Sequence, residues 1–418
     1  MTAAGPALKP NGQSAGEVTG PFLPFAAPWF GPEEKNELLK VLDSDWITTG
    51  PRAHDFETTF REYIGCKEAV AVNSCTAALH LALSVLDVGA GDAVLTSPFT
   101  FAATANVIVH RGAQPVFIDI RPDTYNLDPT KLREFIEQKC SWESAQQFLR
   151  VKDSQRRLRA IIPVHYGGHP ADMDEIVSLA RQYKLAIIED AAHALGASYS
   201  TVKVGTLGDM ACFSFYPTKN ISTGEGGMLT TEDPVFAHRA RILSLHGISR
   251  DAWKRYGKEG SWKYDIEVVG YKYNLTDLAA ALGLHQLEKL ELFIHRRAEL
   301  AAYYTKELAD LPLKLPTVLA IARSAWHLYP VQVLAEGITR DALIEELRRR
   351  NIGTSVHFVP LHLMTFYKKA FGYKCGDFPV AEEVFERILS LPLFPRMRNE
   401  DAARVVGTLH EIVRPQFK

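Results

Sequence analysis

The sequence predicts an α/β protein in which a mostly parallel sheet is covered by helices on both faces, followed by a smaller α+β domain. Three observations predict it. From Phe22 to about Thr231, short apolar runs alternate with helical patterns. The runs are short and apolar enough for buried strands, and the intervening helices are long enough for crossovers between parallel strands. Near Asp277 an extended helical pattern begins, and beyond it the rhythm changes.

Ala69–Val72, Ala93–Leu95, Pro115–Asp119, Ala160–Val164 and Leu185–Glu189 read as strands. Helical patterns follow at Thr76–Leu86, from about Ala102, after Asp128-Pro129 and from Met173 to Tyr183. At Asp128-Pro129 the Asp suits the cap and the Pro suits the first turn. The polar stretch from Gln138 to Arg157 reads as a surface insertion. Leu287, Leu290, Ile294, Ala298, Ala301, Tyr304 and Leu308 keep three- and four-residue spacing, so one long helix is expected from Asp277. Trp326–Leu334, a helix near Asp341–Arg350 and a last helix from about Glu400 complete the smaller domain. The expected division is a flexible tail over 1–21, a large α/β domain over 22–276, and a linking helix with the small domain over 277–418.

The 418 residues allow two domains and a large core. Lys plus Arg is 47 and Asp plus Glu is 49, a formal charge of −2, which leaves no electrostatic footprint for nucleic acid or an anionic membrane. A small-molecule partner is expected. Five scattered cysteines without metal or redox spacing fit free thiols in a reducing compartment. The first twenty residues lack an apolar signal-peptide core, and no apolar run reaches membrane-span length, so a cytoplasmic protein is expected. His165 and His169 are four apart but flank Gly167-Gly168, without a helix to align them, so no metal site is expected.

Three features carry chemistry. Asp190 ends an apolar strand, where open α/β sheets present ligand-binding groups, and a buried acid there suits a protonated pyridine nitrogen. The same position also suits an ordinary helix cap. Lys219 follows the strand-like Cys212–Tyr216 and precedes the glycine-rich Gly224–Gly227, in a segment with little other charge. Such surroundings favour the neutral amine that a Schiff base needs. Asn73-Ser74-Cys75-Thr76 turns from strand into helix and offers N–H groups and hydroxyls to an anion, with Ser214 adding a hydroxyl. Ring site, phosphate site and nucleophilic lysine together point to pyridoxal 5'-phosphate (PLP).

At these residues the chain resembles the DegT/DnrJ/EryC1/StrS family of sugar aminotransferases, PLP enzymes of fold type I. The likeness runs from about Phe22 to the C-terminus, through Trp46–Pro51, Ser74–Ala77, Ser97–Phe101, Ile162–Tyr166, Glu189–His193, Phe213–Phe215 with Lys219, and Gly270–Asp277. Gly270–Asp277 and Gly353–His357 are most similar to enzymes that aminate UDP-linked 4-keto sugars, the 4-amino-4-deoxy-L-arabinose type included.

The resemblance implies Lys219 as Schiff-base lysine and acid/base, Asp190 as partner of the pyridine nitrogen, and His193 beside the ring. It implies Phe99 as the stacking aromatic, and Cys75 (through its backbone N–H), Thr76 and Ser214 with Ser74 around the phosphate. Thr48, Thr49, His357 and His362 fall on the substrate side. The family commonly has Asn and Arg where this chain has Lys272 and Asn274, and either can reach the phosphate in a neighbouring subunit, which implies a homodimer with a shared site. The implied reaction moves an amino group from L-glutamate, through pyridoxamine 5'-phosphate, to a nucleotide-linked keto sugar.

A sugar dehydratase of the same family typically has His in place of Lys219, which argues against that activity here. A non-catalytic member would be expected to lose Lys219 or Asp190. A nicotinamide oxidoreductase would need G-x-G-x-x-G opening a helix, whereas Gly224–Gly227 precedes an apolar strand. Trp253–Lys263 reads as a flap near the substrate.

Overall fold

The computed structural model describes residues 20–248 and 264–414. The expected tail up to residue 19 and the expected flap at Trp253–Lys263 lie outside the described residues. The first strands in chain order are β1 (Glu68–Val72), β2 (Asp92–Thr96), β3 (Gln114–Phe117), β4 (Cys140–Glu143), β5 (Phe148–Val151), β6 (Arg157–Ile162) and β7 (Ala186–Asp190). A short pair, β8 (Ser198–Tyr199) and β9 (Val202–Lys203), precedes β10 (Met210–Ser214) and β11 (Gly227–Thr231). Later come β12 (Leu313–Lys314), β13 (Ala322–Arg323), β14 (Tyr329–Val333) and β15 (Ile388–Leu391).

The main sheet runs β1-β11-β10-β7-β6-β2-β3. Its central pairs, β10/β7, β7/β6, β6/β2 and β2/β3, are parallel, and β11 is antiparallel to both neighbours. The expected mostly parallel sheet is therefore present. Its apolar strands are buried between helices, as in the fully buried β11, because βαβ crossovers place helices on the two faces. Helix starts follow local chemistry: the Asp128 side chain accepts from Thr130 N at 2.8 Å, with Pro129 in the first turn.

Two elements differ from the sequence reading. The polar stretch 138–157, expected as a surface insertion, forms the hairpin β4–β5, which joins the main sheet through β5 against β6. Cys140, Leu149 and Val151 are buried, while Arg150 and Glu143 pair at 3.0 Å. The long helix is two helices, Asp277–Glu288 and Leu290–Glu307, meeting at Lys289. The Lys289 N–H bonds the Gln286 carbonyl, three residues back, and its ammonium is held 2.8 Å from both Glu33 and Glu34.

A second, antiparallel sheet, β12-β14-β15, shares one core with the helices Leu290–Glu307, Arg340–Arg349 and Asn399–Val413. Leu23 joins that core and bridges to Ile352, so an early described segment packs with this second sheet's core before the chain enters the large sheet. No described helix is long and apolar enough to cross a membrane.

Because the central strands are parallel, their C-terminal ends share one edge. Asp190 ends β7 and Ser214 ends β10 there. That edge is where a site is expected.

Candidate active site

A cavity of about 540 Å³ opens at this edge. Ser74, Cys75 and Thr76, Asp190 and His193, and Ser214 and Lys219 line it, together with Phe101, His327, His357 and Phe358. The fold thus brings together all three chemical features read from the sequence.

Lys219 sits in the loop between β10 and β11. Its N–H bonds the Tyr216 carbonyl at 2.8 Å, and the Asn220 amide anchors the loop on the Leu195 and Ala325 carbonyls. Burial lowers the Lys219 pKa to about 8, against the opposing pull of Cys75 and Asp190. At pH 7 roughly one amine in ten is then neutral, compared with about one in three thousand at an ordinary lysine value. Such an amine is a competent nucleophile.

Asp190 is almost fully buried, and burial pushes its pKa up. Hydrogen bonds from Thr104 Oγ1 to Oδ2 at 2.7 Å and from Ala192 N to Oδ1 at 3.2 Å work the other way. A cationic ring nitrogen would complete its environment, since buried carboxylates need paired charge. His193 accepts from Gly167 N through Nδ1 at 3.2 Å, which puts its remaining N–H on Nε2. Burial, then Lys219 and His357, hold its pKa well below the usual histidine range. His327 and His357 are likewise depressed by burial and neighbouring cations, His357 to about 4, so all three rings are neutral at pH 7.

The candidate anion site is the start of the helix Cys75–Val85. Ser74 caps it, accepting from Ala77 N at 3.1 Å, so the ordinary capping role is present at this turn. The Cys75 thiol points into the sheet toward the Cys212 carbonyl at 3.4 Å, and burial raises its pKa, which leaves the backbone N–H as its cavity contribution. Gly227 passes directly behind this turn. A Cβ there would lie 2.4 Å from Ser74 C and 2.6 Å from Cys75 N, so only glycine lets β11 approach.

Several expected residues lie elsewhere. Phe99 is fully buried in an aromatic cluster with Tyr125 and Tyr166, and is not part of the cavity wall. Phe101, 63% exposed, lines the cavity instead. The Ser97 hydroxyl accepts from Phe99 N at 2.9 Å, and this turn sends Phe99 inward. His362 is buried away from the cavity and bonds Glu382 at 2.8 Å, while His357 does line it.

Thr48 and Thr49 are outside the cavity wall: the Thr48 carbonyl accepts from Asp277 N, and the Thr49 hydroxyl bonds the Leu275 carbonyl and the Asn274 amide. Lys272 and Asn274 bond each other and do not line their own chain's cavity. His165 and His169 have structural partners, Glu189 and Ala171 for the first, Leu319 for the second. The sequence reading missed Phe101, Thr104, His327 and Phe358. For Phe101 the signal was present in Ser97–Phe101; His327 and Phe358 arrive from the small domain, and no local pattern marks them.

The groups around the cavity fit PLP: a depressed amine, a buried strand-end carboxylate, and a helix N-terminus cleared by Gly227. The description "DegT/DnrJ/EryC1/StrS aminotransferase family" matches residues 29–410. A spore coat polysaccharide biosynthesis protein, SpsC of Bacillus subtilis, is 47% identical over 397 residues, 94% of this chain and 97% of its own. Spr1654 of Streptococcus pneumoniae, described as a sugar aminotransferase and solved in PMP, PLP and apo forms, superimposes with a TM-score of 0.84 at 32% identity in its PMP form. That comparison covers 94% of this chain and 100% of the other. PseC of Helicobacter pylori, an aminotransferase involved in the biosynthesis of pseudoaminic acid, gives 0.83 at 26% identity, over 95% of this chain and 100% of its own. Fold and cavity together are those of a PLP-dependent aminotransferase of fold type I. The chain belongs to the DegT/DnrJ/EryC1/StrS aminotransferase family.

Proposed function

We propose that this protein transfers an amino group from an amino acid, L-glutamate, to a nucleotide-linked keto sugar of the UDP-4-keto type, and that it does so as a cytoplasmic homodimer with shared sites. The observation that carries the amine-transfer reading is Lys219, a lysine lowered to about 8 in the same cavity as Asp190 and an anion-binding helix start. A sugar acceptor is supported by the polysaccharide role of the Bacillus subtilis relative and by the description of the Streptococcus pneumoniae protein.

When bound, PLP supplies the carbonyl carbon that takes up an amine and a ring that draws electrons from it. The protein's residues do the rest. Lys219, tethered in the cavity, would in its neutral form carry the proton from the donor's Cα to the C4′ carbon of the cofactor, and in the return half-reaction would take a proton from C4′ and deliver it to the sugar carbon that receives the amine, at high effective concentration. Asp190 keeps the ring nitrogen protonated. The N–H groups of Cys75 and Thr76, with the Ser74, Thr76 and Ser214 hydroxyls, hold the phosphate. Phe101, which lines the cavity where Phe99 does not, would hold a face of the ring, with His193 as a further contact. His357, near Lys219 and across from Phe25, faces the sugar side of the cavity. Lys272 or Asn274 completes the phosphate site of the neighbouring subunit, consistent with their position outside their own cavity.

The test is a panel of nucleotide-linked 3-keto and 4-keto sugars incubated with the purified protein, PLP and L-glutamate, with products read by mass spectrometry. A UDP-linked 4-keto sugar should give an amino sugar nucleotide and an equal amount of 2-oxoglutarate. Glutamate turnover with a simple keto acid but with no sugar in the panel would remove the sugar assignment and keep the aminotransferase.

A further inference from the structure

Behind Asp190 lies a buried chain of two hydroxyls. Thr100 Oγ1 and Thr104 Oγ1 are 2.8 Å apart, and Thr104 Oγ1 is 2.7 Å from Asp190 Oδ2. Thr104 is fully buried and Thr100 nearly so, and both reach the cavity wall. Helix Ala102–His110 carries Thr104, so the chain links that helix to the end of β7.

Its polarity follows from the carboxylate. An ionised carboxylate only accepts, so Thr104 donates to Asp190 and uses a lone pair to accept from Thr100. Two aligned hydroxyl dipoles then point their positive ends at Oδ2, in a site where water does not compete. Around this carboxylate the other titratable groups are Lys219 beyond β10, Cys212 on β10, Cys75 at the helix start, and His165 after β6. Burial alone would favour the protonated acid, and a protonated Asp190 could not hold a proton on a ring nitrogen.

We propose that Thr104, backed by Thr100, is a positioning residue that holds Asp190 ionised and in a single orientation, so that the cofactor's ring nitrogen keeps its proton. The inference rests on the role given to Asp190 above and adds the device that enforces it. Valine is nearly the same shape as threonine and lacks the hydroxyl, whereas serine keeps the hydroxyl.

In the PLP-free protein, carbon-13 NMR of labelled aspartate should show the Asp190 titration midpoint about one to two pH units higher in Thr104→Val, from loss of one hydrogen bond to a charged group. Thr104→Ser should return it close to the parent, and Thr100→Val should shift it less than Thr104→Val. In the loaded protein, nitrogen-15 in the PLP ring should be protonated in the parent and in Thr104→Ser, and partly deprotonated in Thr104→Val. kcat should fall about tenfold in Thr104→Val with KM for the amino donor nearly unchanged. Parent-like midpoint and ring nitrogen in Thr104→Val, with Asp190→Asn deprotonating the ring, would overturn the Thr104 assignment and leave Asp190 in place. An unprotonated ring in the parent would overturn both.

Discussion

Lys219 is unusual because of where its loop is pinned. Asn220 fixes the loop on two carbonyls, and the amine is left buried beside neutral imidazoles, with Asp190 and Cys75 only partly offsetting the effect of burial. The consequence can be measured before any turnover. In the PLP-free protein, the rate at which an aldehyde probe or PLP itself couples to Lys219 should rise with pH and level off above about 8, because the neutral fraction grows until that value is passed. A profile still rising toward pH 10 would show an ordinary lysine. Asp190 behaves oppositely. Burial raises it, and the protein counters with Thr104, Ala192 and the nearby ammonium. Both residues were legible in the sequence, since a strand-end acid and a lysine in a charge-poor loop are local features. Phe99 and Phe101 were not distinguishable on the same terms. They stand two apart just beyond a strand, where alternation no longer tells inward from outward, and the Ser97 turn decides it.

At the scale of elements, the proposed phosphate end of the cavity depends on two strands and a helix approaching closely. β11 runs antiparallel between β1 and β10, and its first residue, Gly227, lies against the turn at Ser74 and Cys75. Gly227→Ala should place a methyl group inside backbone atoms that cannot move without dragging the helix start. Overpacking of this kind costs about 1–3 kcal/mol, so PLP affinity should drop about tenfold or more, read by equilibrium dialysis, while circular dichroism shows the sheet retained. Unchanged affinity would mean that the helix start is not the phosphate site. A second close approach ties the ends of two helices together. The buried Asp277 carboxylate accepts from Gly50 N at 2.7 Å, Ala53 N at 3.0 Å and Arg52 N at 3.2 Å, capping the helix Pro51–Ile64 from the start of another. This explains why Trp46–Pro51 and Gly270–Asp277, far apart in sequence, both stand out as motifs. Strands and caps were readable because they obey local rules. The break at Lys289 was not, since the apolar spacing continues through it, and the acidic pair that holds Lys289 comes from the chain's beginning. The hairpin β4–β5 was hidden by its charged outer face.

Across the whole molecule, the large sheet and its connecting turns supply Ser74, Asp190 and Lys219 to the cavity, and segments beyond the helix Leu290–Glu307 bring His327, His357 and Phe358 to its wall. No segment of the sequence signals that convergence, because it arises from packing between distant cores. The proposed sharing of sites between subunits gives a separate test. Lys219→Ala mixed under exchange conditions with a Lys272→Ala, Asn274→Ala double variant places both lesions in one site of a heterodimer and leaves the other intact. Activity should recover to no more than about half of the parent's, by counting sites in a two-fold dimer. Proven exchange without recovery would place Lys272 and Asn274 in the service of their own chain.

The central claim is that Lys219 is the residue that holds PLP and moves the proton. Borohydride reduction of the PLP-loaded protein, followed by peptide mapping by mass spectrometry, tests it most directly. One phosphopyridoxyl group is expected, on the peptide containing Lys219, and none in Lys219→Ala of retained fold. A reduced adduct on another lysine, or one that persists in Lys219→Ala, would contradict it.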